Sequence, residues 1–199
     1  MGALLRLSRA IDGMSQWIGR YVIWLILGST VISGINALVR KIFDVGSNAY
    51  LEVQWYLFAA SFLIAAGYTL LNNEHVKIDV VYSRFSRRTQ VWIDVFGFVF
   101  FLIPLCVAVL RLSIPFAYNG FVSHEMSSNA GGLVRWPVYF MIPLGFSLLL
   151  LQALSELIKR LAFQQGLITD PCDKVNENAA EEDLAQAIRQ LAEDKTGQA

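Results

Sequence analysis

Cysteine and histidine are scarce in this chain of 199 residues, which has two of each. Cys106 lies in an apolar run and Cys172 in a polar tail, so they are not placed to meet and no disulfide framework is expected. The histidines, His75 and His124, fall at opposite ends of apolar segments, which removes a shared metal site or a paired-histidine haem site. Charge is also sparse: 16% of residues, against roughly 25% in soluble domains. No stretch of Lys and Arg is dense enough to argue for nucleic acid, and no nucleophile elbow, P-loop or zinc-ligand spacing occurs. These absences weigh against an enzyme, and the sequence offers no catalytic residue, cofactor site or metal site.

What the sequence has in quantity is apolar length. Hydrophobic residues make up 55% of it. Between Glu52 and Glu74 lie 21 residues without a formal charge, and between Arg20 and Arg40 there are 19. At about 1.5 Å per helical residue either run crosses a hydrocarbon core of roughly 30 Å. A third run, Val95 to Leu110, extends through Val91 and Trp92 on one side and past Arg111 to Tyr118 on the other; Pro104 and Pro115 predict a kink and a helix end. A fourth opens with Trp136 and Pro137, a proline tolerated at a helix start because its missing N–H would be unpaired there, and runs to about Ser155. The fold expected is all-α, an integral membrane bundle of four transmembrane helices. Residues 1–16 read as an amphipathic interfacial helix, 17–160 as the membrane domain and 161–199 as an acidic cytoplasmic tail.

The formal charge of zero hides a division, because the eight acids and three bases from Asp170 onward leave the membrane part about +5 and the tail about −5. Near the span ends, nine Lys and Arg residues on one side face Arg40, Lys41, Arg111 and Arg135 on the other, which predicts both termini in the cytoplasm. Arg111 is the single charge inside an apolar run and reads as an anchor snorkelling to the outer interface. Ser29, Ser33 and Ala37, with Thr30 and Gly34 beside them, form a small-residue stripe suited to close helix packing, inside this bundle or against another subunit. Polarity confined to the ends of the spans describes a scaffold better than a conduit, since transport sites and proton relays sit near the bilayer midplane.

Four pieces carry a resemblance: Glu52-Val-Gln54-Trp55, the run Asn73-Glu-His75-Val-Lys77-Ile-Asp79, the following Arg84 to Arg88, and Glu125-Met-Ser127-Ser-Asn129-Ala-Gly131-Gly132 with Trp136-Pro137. Together they resemble the small membrane subunit, DctQ-like, of tripartite ATP-independent periplasmic (TRAP) transporters, over roughly Trp17 to Lys159. The resemblance implies uptake across a bacterial inner membrane, driven by an ion gradient, usually sodium. It implies as partners a large membrane subunit that holds an organic acid, and a periplasmic substrate-binding protein. Glu52, Gln54, His75, Lys77, Asp79, Glu125 and Trp136 would then fix helix ends against the partner, membrane lipids and one another. The other class weighed is a stand-alone accessory or anchor protein of an unrelated membrane complex.

Overall fold

The computed structural model describes residues 2–44, 46–73 and 85–167, and these are helical apart from short connections. Helix α1 spans Gly2–Phe43 and α2 Asn48–Leu71. The third span is composite: α3 at Arg87–Gly97, a π-helical turn at Phe98–Leu102, and α4 at Ile103–Val122. Helix α5, Trp136–Gln164, completes the set, and four helical segments are long and apolar enough to cross a membrane.

The interfacial segment and the first span are one helix. Nothing between Arg9 and Trp17 breaks it, and its 42 residues reach about 63 Å, roughly twice a hydrocarbon core. Its buried side chains explain how so long a helix is held: Ser8, Ser15, Val22 and Ser29 recur every seven residues, with Ile11 beside them. A strict seven-residue repeat keeps one narrow seam against the neighbouring helices over the full length. Trp17, Tyr21, Ile23 and Trp24, off that seam, are exposed.

The third span shows how the chain accommodates Pro104. A proline has no N–H to give the carbonyl four residues back. The turn ahead of it widens, and the Ile103 N–H bonds to the Phe98 carbonyl, five residues back. The expected kink is therefore a π turn, and it sets the Phe98 ring 4.6 Å beneath the Arg160 guanidinium. Pro115 sits inside α4 without ending it; the helix continues to Val122, past the Asn119 at which the sequence suggests a loop.

Helix α5 is the hub: α1 and α2 pack on it and on each other, while α3 and α4 pack on it from another side. The α2–α5 seam is close because Gly145 lies on it, where a Cβ would come within 2.7 Å of the Leu63 carbonyl oxygen. Gly67 meets the α5 backbone at Leu148 on the same seam. Small residues matter here because lipid gives no hydrophobic drive between helices, so close packing must supply the attraction.

Candidate functional site

The polar side chains gather at two levels, one at each end of the bundle. At the end where α4 gives way to α5 the connection between them folds back as a hairpin, with Ser127 N–H donating to the Leu133 carbonyl (2.9 Å) and Arg135 N–H to that of Glu125 (2.9 Å). Its tip is a tight turn closed by Gly132 N–H to the Asn129 carbonyl, with Gly131 at φ +70°, a left-handed conformation that glycine adopts without strain. The hairpin closes over Glu52, in the second turn of α2 and 4% exposed. Its carboxylate accepts from the Ser127 hydroxyl, the Asn129 side-chain amide (2.9 Å) and the Leu133 N–H (2.6 Å). Gly132 is needed for a different reason from Gly131: a Cβ there would come within 2.5 Å of the Ser127 Cβ and 2.9 Å of the Glu52 Oε1. Asn48 donates to the Ala130 carbonyl and Tyr56 to that of Val134, so three side chains of the first turns of α2 hold the loop.

Glu125 begins the hairpin and accepts from the Tyr139 hydroxyl (2.8 Å) and, at 3.5 Å, from Arg135. Arg135, outside the spans, is held above the ordinary arginine pKa, first by its hydrogen bond with Tyr139 and further by the Glu125 carboxylate. Trp136 stacks edge-on to Phe121 and Phe140, tying the end of α4 to the start of α5.

At the other end, α1 and α5 are joined through a buried polar layer. Asp12 accepts from Gln152 (2.9 Å), Ser155 (2.8 Å) and Lys159 (3.0 Å), Ser15 donates to Gln152 (2.7 Å), and the Ser8 and Ser155 hydroxyls meet at 2.7 Å. Glu156 pairs with both Lys159 and Arg160. Arg160 reaches on to Asp94 of α3 (3.2 Å) and to Asn73 at the end of α2 (3.1 Å). Gln152, Ser155, Glu156 and Arg160 are all at most 1% exposed. Charges are tolerated at such burial only when paired and hydrogen-bonded, and each of these has its partner. The layer fixes one register between α1 and α5 and ties α2 and α3 to the same residues.

The structure unites Glu52 with Ser127, Asn129 and Gly132, which the sequence presents about 80 residues apart. Glu125 and Trp136 flank that cluster. Ser29 faces inward and donates to the Gln54 carbonyl (3.1 Å), while Trp55 is exposed. The stripe on α1 thus divides: Ser29 is buried, Ser33 half-buried, and a Cβ at Gly34 would meet nothing within 4 Å. His75, Lys77, Asp79 and Arg84 lie outside the described residues. The buried polar layer between α1 and α5 is not evident from the sequence. Lys159 and Arg160 look like the end of a span, yet α5 continues to Gln164 and the two cations turn inward. The available signal was the spacing Gln152, Glu156, Arg160, one face of a helix inside an otherwise apolar run.

Residues 10–163 match a family model described as Tripartite ATP-independent periplasmic transporters, DctQ component. No curated protein and no solved structure matches the chain.

Proposed function

The chain belongs to the DctQ family, the small membrane component of tripartite ATP-independent periplasmic transporters, and on that premise we propose that it serves as a fixed scaffold and does not itself hold substrate. The transporter would import an organic acid, driven by an ion gradient and most simply by sodium. A large membrane subunit would carry substrate and ion, and a periplasmic binding protein would deliver the acid. The observation that carries the scaffold reading is the use of polarity. The two polar clusters lock helix ends together, whereas a groove of about 340 Å³ between α1, α2 and α5 is walled by aromatic and aliphatic side chains such as Tyr21, Leu25, Ile64 and Leu148. Such a wall offers no cation for a carboxylate and no carbonyl cage for an ion.

Two experiments address the reading. Calorimetry on the purified chain should give no heat of binding with the organic acid, while uptake by the reconstituted transporter should require the chain. Stoichiometric binding to the isolated chain would sink the scaffold role. The proposed orientation places the chain in the inner membrane with both termini cytoplasmic, supported by the bias of basic residues. In a background lacking Cys106 and Cys172, cysteines at Ser47 and Ser128 should react with an impermeant thiol reagent added to intact spheroplasts, and one at Ser86 should not. The reverse pattern would invert the topology.

A further inference from the structure

Arg111 is an exposed cation well inside a membrane helix, and it makes no hydrogen bond or ion pair among the described residues. Its depth follows from the aromatic residues of its own span. Trp92 and Tyr118, both exposed, stand about 39 Å apart along the third span, as do Trp17 and Phe43 along α1, which marks two headgroup levels. Arg111 lies about 10 Å inside the level of Tyr118. Side chains on a helix lean toward its N-terminus, so the Arg111 stem leaves the backbone toward the bilayer centre and away from the nearer headgroups. Snorkelling outward works against that direction.

A second polar group on the same residue lacks its usual partner. The donor for the Arg111 carbonyl in a regular helix is the N–H four residues on, and that residue is Pro115, which has none. One turn of α4 therefore presents a cation needing an acceptor and a carbonyl without its regular helical donor. Around them lie the exposed apolar side chains of Val107, Leu112 and Ile114, with Leu112 at 74% exposure. Lipid tails offer neither partner. A phosphate offers only acceptors, and it lies further out.

We propose that this face of α4 is the docking surface for a membrane helix of a different chain, one that places a carboxylate opposite Arg111 and a hydroxyl or amide donor near its carbonyl. A second copy of the chain does not qualify. Of its described acids outside the tail, Asp12, Asp94 and Glu156 belong to the polar layer between α1 and α5, Glu52 and Glu125 to the cluster at the α4–α5 hairpin, and Asp44 stands beyond the end of α1. None lies at the depth of Arg111. Among the described residues this surface is free, because α4 leans on α5 alone among the long helices it packs against. The proposal rests on the reading that the chain works beside another membrane chain, and it says where the two meet.

The test places the photoreactive amino acid p-benzoylphenylalanine at Leu112 and, as a control, at Phe62, an equally exposed position on α2, in cells that also express the large membrane component of the same transporter. Irradiation should join position 112 to that component, and the yield should fall roughly tenfold or more with Arg111→Gln, the scale expected when one member of a desolvated ion pair is removed. Arg111→Glu should abolish co-purification, and a carboxylate-to-arginine change at the crosslinked site of the component should restore it. Co-purification that persists with Arg111→Glu, or adducts at position 112 that are phospholipid only, would overturn the docking surface while leaving the scaffold reading standing. Failure of the unaltered chains to co-purify would overturn both.

Discussion

Replacing Glu52 by alanine will open the α4–α5 hairpin while leaving the four spans in place. The carboxylate is the acceptor for three donors at once, the Ser127 hydroxyl, the Asn129 amide and the Leu133 N–H. Hydrogen bonds to an ionised acceptor are stronger than neutral ones, and deleting the acceptor leaves all three donors to find water. The hairpin retains its own backbone bonds, so the expected result is local opening, not unfolding. Amide hydrogen exchange reads it directly. Protection at Leu133 should fall by about ten- to a hundredfold, the range expected for losing a charge-assisted hydrogen bond, while amides in the middle of α2 keep theirs.

Glu52→Gln sharpens the result, because an amide keeps one acceptor oxygen and turns the other position into a donor. It can still serve Ser127 and Asn129 through the retained oxygen but faces the Leu133 N–H with N–H of its own. Protection should then drop at Leu133 more than at Asn129. Glu125→Ala serves as the contrast: it frees Tyr139 and Arg135 and leaves Leu133 bonded to Glu52. Unchanged exchange at Leu133 in the Glu52→Ala chain would mean that the hairpin stands on its own bonds, and that the residues carrying the family likeness meet for another reason.

The spans were legible in the sequence because uncharged length is a physical requirement of crossing a bilayer, and a chain with runs of about 20 apolar residues has few other places to bury them. The residues around Glu52 and the α4–α5 hairpin were legible one at a time, as polar positions at span ends and as pieces of a family pattern. Their meeting was not, since Glu52 and the Ser127 to Leu133 stretch are joined only through the packing of α2 on α5. The polar layer between α1 and α5 was hidden because its cations resemble a span end. Lysine and arginine usually mark the end of a membrane span, and Lys159 and Arg160 mimic that signal because nothing in their immediate neighbours shows the acids waiting on α1 and α3. Continuity of α1 was masked likewise by Arg20, which reads as a boundary and is an exposed side chain on an unbroken helix. In both cases partner identity decided the outcome, and local sequence does not contain it.

Loss of the Arg160 side chain will be the most damaging single change in the polar layer between α1 and α5. Arg160 is 1% exposed and touches three elements besides its own turn: Asn73 at the end of α2, Asp94 of α3 and the Phe98 ring in the π turn. Removing one partner from a buried ion pair costs about 3–5 kcal/mol, because the remaining charge keeps its desolvation penalty without its compensation. For a chain of this size that corresponds to a fall of roughly 10 °C in the thermal midpoint, measured in lipid nanodiscs with Arg160→Ala. Glu156→Ala should cost less, since Lys159 keeps Asp12 and Arg160 keeps Asp94. The loss should also be directional. Helix α3 is joined to the rest chiefly through α5, so exchange should rise across Arg87–Gly97 before it rises in the α1–α2 pair. An apolar pair of similar bulk, Arg160→Met with Glu156→Leu, should recover part of the midpoint, because the two charges of one pair go together while Asp94 still loses its bond to Arg160. If Arg160→Ala melts within about 2 °C of the parent chain, the layer contributes register without stability, and the hub role of α5 rests on its glycine seam with α2 instead.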